Sequence, residues 1–210
     1  MLVTDPLFDV ARPRPVLASR LLHEGRIWDL RSDDVDLGEA GVVTREWIDH
    51  PGAVATIAVD DEGRVLLLRQ FRHPVGRELW EPPAGLLDVA GEEALLAAQR
   101  ELAEEADLRA ATWHVLADYF TTPGGNNEAL RVFLARDLSP VPEDERHVRE
   151  DEEMSMVPAW VSLEEAVDGV LQGRLHNPST VVGVLALAAA RAHGYEHLRP
   201  GDAPWPERRA

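Results

Sequence analysis

Apolar and polar residues change their period along this chain, and the changes mark its elements. Ala53 to Val59 and Val65 to Phe71 are apolar runs joined by Asp60-Asp61-Glu62-Gly63, the pattern of two strands in a hairpin. From Glu92 to Ala106 the period becomes helical, and Leu95, Ala98, Leu102 and Ala106 form its expected buried stripe. Further strands are predicted at Thr112–Tyr119, Ala129–Leu134 and Met154–Val161. A helix capped near Ser162 runs through Val170 and stops at Gly173; another starts at Asn177-Pro178 and reaches about Ala192. Upstream, Leu21 to Ile48 reads as two or three short strands divided by Ser32-Asp33-Asp34 and by Gly38 and Gly41. Residues up to about 20 read as irregular, Glu81-Pro82-Pro83-Ala84-Gly85 as a rigid loop, and the terminal GDAPWPERRA as a mobile tail. Strands interleaved with helices predict an α/β sandwich.

Composition narrows the classes of function. The 210 residues suffice for one sizeable domain with a smaller appendage. With 38 acidic against 21 basic residues, the net charge of −17 disfavours nucleic acid and anionic membranes as partners. All 21 basic residues are arginine, so a lysine nucleophile and a Walker-type loop are excluded. The absence of cysteine excludes disulfides, thiolate zinc sites and cysteine nucleophiles. The N-terminus lacks the apolar core of a signal peptide, and Val181 to Ala190 is too short to span a bilayer. The expected location is the cytoplasm.

The segment Arg100-Glu101-Leu102-Ala103-Glu104-Glu105 carries the clearest chemistry. On a helix, Glu101, Glu104 and Glu105 crowd one turn at i, i+3 and i+4, at a cost of roughly 0.2–0.5 kcal/mol per like-charged pair. A hard divalent cation offsets that repulsion, because Mg²⁺ prefers carboxylate oxygens together with water and substrate phosphate. The pattern points to phosphate chemistry.

Taken with Gly85, Glu92 and Leu108, this segment resembles the Nudix box, a loop–helix–loop of Gly, five residues, Glu, seven residues, then Arg-Glu-apolar-x-Glu-Glu-x-Gly-apolar. Two departures stand out. Six residues separate Gly85 from Glu92, and Asp107 occupies the helix-ending glycine position, where a positive φ is usual and aspartate is better tolerated than most residues. The resemblance implies a Nudix α/β/α sandwich with a mixed sheet at 51–195. It also implies a small N-terminal β segment at 1–50 that exchanges between the subunits of a homodimer; residues 196–210 read from their own composition as a flexible tail. It makes Glu101 and Glu105 metal ligands, Glu104 a ligand or a group behind the ligands, and the Ala84 carbonyl a further donor. Gly85, Glu92 and Arg100 become structural, with Glu92 as the partner of Arg100. The implied cofactor is Mg²⁺, with Mn²⁺ as the alternative.

QFRHPVGRELWEPPAG before the box and TTPGGNNEALRVFLA after it are similar to the ADP-ribose pyrophosphatase branch. In that branch a proline some fifteen residues past the box marks an ADP-sugar preference, and Pro123 stands there. The usual aromatic-Ser-Asp-Glu is replaced by Gly125-Asn126-Asn127-Glu128, which keeps Glu128 and loses the aromatic. The resemblance places Arg72 on the pyrophosphate, where its planar fork suits bidentate binding, with Arg77 as a weaker candidate. Glu81 is assigned to the adenine amino group, the metal shell or the loop itself, and Trp47 to adenine stacking. The catalytic base lies on a later acidic loop, Glu150-Asp151-Glu152-Glu153, with Glu150 in the base position and Glu152 as its competitor. The implied reaction is hydrolysis of ADP-ribose to AMP and ribose 5-phosphate. Another nucleoside diphosphate sugar as substrate, or a non-catalytic ADP-ribose-binding module, are the alternatives.

Overall fold

The computed structural model describes residues 6–148 and 156–208. The chain divides into two compact units, one of residues 1–50 with 124–126, the other of 51–123 with 127–210. The first is an antiparallel sheet of β1 (Val16–His23), β2 (Asp29–Asp36) and β3 (Val42–Asp49) in that order. Regular structure thus starts earlier than the Pro- and Arg-rich composition suggested, because β1 pairs with β2 from Val16 onward.

In the second unit the two apolar runs become β4 (Ala53–Ala58) and β5 (Arg64–Arg72). Next come β6 (Arg77–Glu81), β7 (Ala84–Leu86), helix α1 (Ala94–Ala106), and the long antiparallel pair β8 (Leu108–Phe120) and β9 (Ala129–Pro140). β10 (Val157–Ser162), α2 (Leu163–Leu171), α3 (Pro178–Ala192) and the two-residue β11 (Arg199–Pro200) complete the chain. One sheet has the order β11-β8-β9-β4-β7 and the other β10-β5-β6. The β4–β9 pair is parallel and the remaining pairs are antiparallel, so the sheet is mixed.

Every residue of β4 is buried, so the strand has no solvent face. Ala53, Ala55 and Ile57 pack with Leu130, Val132, Leu134, and with Val184 and Leu187 of α3. Val54 packs with Phe133, Ala97 and Ala98, and Ala58 with Leu102, both toward α1. The period-two alternation of one strand therefore feeds two cores, with α1 on one side and α2 and α3 on the other. This is the expected α/β/α sandwich. The stripe of α1 is centred on Ala94, Ala97, Ala98 and Leu102, and Leu95 and Ala106 pack at its margins. α3 approaches the sheet closely at Gly183, where a Cβ would stand 2.6 Å from the Ile57 side chain.

The helix boundaries follow local chemistry. The side chains of Ser162 and Asn177 accept from the N–H groups of Glu165 and Thr180, the ordinary N-cap arrangement. Asp107 ends α1 in the left-handed region (φ 54°, ψ 34°), and its N–H returns to the carbonyls of Leu102 and Ala103. Among the described residues no helix is long and apolar enough to cross a membrane.

Two readings need correction. The Pro-Pro loop is not wholly irregular, since Ala84, Gly85 and Leu86 pair with Ala55, Val54 and Ala53 as β7. The described C-terminal residues, up to 208, are not detached from the domain, because buried Arg131 contacts Ala203, Pro204 and Trp205. Its guanidinium takes both oxygens of Asp118 and donates to the carbonyls of Ala203 and Pro204 at 2.7 and 3.1 Å. Trp205 covers the same guanidinium at 4.7 Å from the ring centre. Removing Arg131 leaves Asp118 with Arg199 as its remaining ion-pair partner and strips the Ala203 and Pro204 carbonyls of their donor. Arg131→Met is therefore expected to lower unfolding free energy in urea by about 3 kcal/mol, and to release residues 199–208 to limited proteolysis.

Candidate active site

The helix α1 and the strand β7 build the site together. β7 lies at the edge of its sheet beside β4, and α1 crosses it so that two carboxylates reach its backbone. Glu105 Oε2 accepts from the Ala84 N–H at 2.9 Å. Glu101 lies against Gly85 so closely that a Cβ there would stand 2.0 Å from its Oε1. Glycine at 85 is thus required by the approach of a carboxylate and not by an unusual φ.

Arg100 organises the other side of the turn. It makes a two-pronged pair with Glu92, Nε to Oε1 and Nη2 to Oε2, each at 3.0 Å. Its Nη1 donates to Glu101 Oε1 at 2.6 Å and to Glu104 Oε2 at 3.1 Å. These hydrogen bonds hold the Glu92 carboxyl below the usual carboxylate range, against the opposing effect of partial burial. They also raise Arg100 above its already high pKa, with Glu92 as the largest cause, so the guanidinium remains cationic at any ordinary pH. Glu92, Glu101 and Glu104 are therefore tied to one cation before any other ligand arrives.

Among the described residues no group of three or more His, Asp or Glu side chains is already gathered in a metal-holding cluster. The acids of α1 are instead engaged by Arg100 and by the Ala84 N–H. The donor set nevertheless fits a hard divalent cation: several carboxylates on one turn beside a main-chain strand, with no cysteine in the chain. A cation would compete with Arg100 for Glu101 and with the Ala84 N–H for Glu105.

The other sequence-identified residues are distributed as follows. Arg72 on β5 and Glu81 on β6 are neighbours, and the buried Glu81 carboxylate grips Arg72 Nε and Nη2 at 3.0 and 2.7 Å. This pair orients the guanidinium plane, and Pro82-Pro83 links it directly to Ala84. Arg77 pairs with Arg72 in strand register and is exposed. Glu128 accepts from the Thr121 hydroxyl at 2.6 Å, and with Pro123 it flanks the β8–β9 turn. Trp47 belongs to the N-terminal sheet, where its indole N–H donates to Asp33 at 2.8 Å. Glu150 and Glu152 lie outside the described residues. Sequence reasoning did not single out Arg131, Asp118 or Trp205. An arginine in the otherwise apolar run Ala129–Ala135 was the available signal.

Substituting Gly85→Ala forces the Glu101 side chain, from Cγ to the carboxylate, away from β7. Divalent-metal affinity measured by calorimetry is expected to fall roughly 10- to 100-fold. The thermal midpoint of the metal-free protein should change little, whereas a large fall in that midpoint would show that Gly85 serves the fold.

Comparison with known proteins gives the family of the chain. The NUDIX domain family model matches residues 49–180. The ADP-ribose pyrophosphatase of Mycobacterium tuberculosis is 46% identical over 192 residues, 91% of each chain. The ADP-ribose pyrophosphatase of Bacillus subtilis is 36% identical, covering 84% of this chain and 93% of the relative. A crystal structure described as an ADP compounds hydrolase superposes with a TM-score of 0.71, covering 89% of this chain and 99% of that one. At 19% identity it speaks for the fold alone. The matched span contains both β7 and α1, with the carboxylates and the glycine that their contact requires, and the chain belongs to the Nudix family.

Proposed function

We propose that this protein hydrolyses the diphosphate bond of ADP-ribose, giving AMP and ribose 5-phosphate, with Mg²⁺ as its divalent metal. The observation that carries the reading is the near full-length likeness to ADP-ribose pyrophosphatases. The carboxylate-bearing face of α1 against β7 is the local feature that supports it.

When bound, the cation supplies neutralisation of the diphosphate and a water of lowered pKa. Glu101 and Glu105, with the Ala84 carbonyl, are the groups to hold it, and Glu104 joins them directly or from behind. Arg100 and Glu92 fix the helical turn that carries these acids. Arg72, held in orientation by Glu81, presents planar N–H donors suited to a phosphate. Pro123 and Glu128 shape the loop toward the sugar end, Arg77 adds positive charge, and Trp47 supplies an aromatic face for adenine. Glu150 takes the proton of the attacking water, with Glu152 as the competing base. A base of this kind contributes roughly 10²–10⁴-fold to the rate.

Turnover of ADP-ribose, ADP-glucose and GDP-mannose at equal metal concentration tests the substrate assignment, and ADP-ribose should give the largest kcat/KM. A flat or inverted order would move the assignment to another nucleoside diphosphate sugar. Glu105→Gln should lower kcat by roughly 100-fold or more with the fold intact, and Glu150→Gln should lower it more than Glu152→Gln. Binding of ADP-ribose by wild type without metal-dependent AMP release would favour a binding module.

The assembly is read as a cytoplasmic homodimer joined through the N-terminal sheet. Val16, Leu17, Leu21, Leu22 and Val42 are exposed on that small sheet, an apolar surface suited to a second copy. Light scattering should return twice the 23.3 kDa chain mass, and Leu21→Arg should shift it toward the monomer. A monomeric wild type at micromolar concentration would contradict the dimer.

A further inference from the structure

The C-terminal segment is tied down at successive points, and the last of them touches the loop that leads into α1. Arg199 and Pro200 pair with Val115 and His114 of β8. The Gly201 N–H donates to the Trp113 carbonyl at 3.1 Å. Arg131 holds the carbonyls of Ala203 and Pro204 and lies beneath Trp205. Arg208 Nη1 then donates to the main-chain carbonyl of Glu92 at 3.2 Å.

Glu92 is thereby gripped twice, its carboxylate by Arg100 and its carbonyl by Arg208. The start of α1 is held by the buried Ala94 and Ala97, but it has few polar anchors. Its N-cap residue, Glu93, makes no side-chain cap hydrogen bond, and no acidic residue stands in the first turn. The side-chain hydrogen bond that ordinarily anchors a helix N-terminus is therefore missing. A cleft of about 430 Å³ lies between Glu93–Leu96 on one side and Trp205 and Arg208 on the other. Ala203 and Trp205 pack on the apolar cluster of α1 behind that cleft, and the Arg208 hydrogen bond is the polar tether at Glu92 beyond that packing.

We propose that Arg208 is a positioning residue for the acidic turn of α1, delivered by a C-terminal strap that Arg131 anchors. Fixing the Glu92 main chain fixes the carboxylate that holds Arg100, and Arg100 in turn holds Glu101 and Glu104. The kinetic arm of the test rests on the ADP-ribose reading; the structural arm does not.

Amide hydrogen exchange on the metal-free protein, with Arg208→Ala and Arg208→Lys beside wild type, reads the tether directly. Loss of one hydrogen bond of ordinary strength should speed exchange of residues 89–97 about five-fold in Arg208→Ala. Exchange in β4 and β9, and the thermal midpoint, should not change. With ADP-ribose, kcat should fall about five-fold with KM within two-fold, and Arg208→Lys, which keeps a donor, should recover most of both effects. Unchanged exchange at 89–97 would overturn the proposal. So would a lowered thermal midpoint with exchange rising throughout the domain, or a lysine variant no better than alanine. Wild type inactive on ADP-ribose but with the expected exchange pattern would refute the substrate and leave the tether standing.

Discussion

Four carboxylates, Glu92, Glu101, Glu104 and Glu105, stand on or just before α1 where it meets β7, in a protein whose net charge is already −17. Left alone they would repel one another and fray the helix that bears them. Arg100 resolves the conflict by contacting three of them with one planar group, and the Ala84 N–H takes the fourth. An isolated surface ion pair stabilises little, because two long side chains must be ordered for one interaction. Here one ordered guanidinium serves three acids, so each further contact costs less ordering than the first. The acidic turn exists in the folded chain because this arginine stands inside it.

The rest of the fold keeps that turn in register with β7. β4, buried on both faces, is the common wall of the two cores, and β7 is hydrogen-bonded to it. α1 packs on the same wall through small residues, Ala94, Ala97 and Ala98, which bring the helix close to the sheet. That closeness puts Glu101 against Gly85, where nothing larger than hydrogen is accommodated without displacing it. At its end α1 stops at Asp107 in the left-handed conformation, and the Asp107 carbonyl then receives the Val141 N–H at 2.8 Å. The acidic segment that follows, with its Glu145 paired to Arg109 at 2.5 Å, therefore starts from the foot of the same helix.

Much of this was legible in the residues. The apolar runs of β4 and β5, the helical period of α1 and the caps at Ser162 and Asn177 are local signals, and local signals survive folding. The three glutamates at i, i+3 and i+4 suggested a cation, and it was the resemblance to the Nudix box, carried by Gly85, Glu92 and Arg100, that implied a site there. Contacts between distant segments were not legible. Nothing adjacent in sequence tells that Arg131 pairs with Asp118 and gathers Ala203, Pro204 and Trp205, so the Pro-rich terminus read as mobile. β7 was hidden for a related reason: its three residues follow two prolines, and only their partners on β4 make them a strand. Glu150 and Glu152, outside the described residues, rest on sequence alone.

The central claim is that the acidic turn of α1 makes this chain a metal-dependent hydrolase of ADP-ribose. Chromatographic quantification of products from ADP-ribose, with wild-type protein stripped of metal and then titrated with Mg²⁺, tests it most directly. AMP and ribose 5-phosphate should appear in equal amounts, be absent from the stripped protein, and rise saturably with Mg²⁺. Equal turnover by stripped and metal-loaded protein, or no AMP at any metal concentration, would contradict the claim.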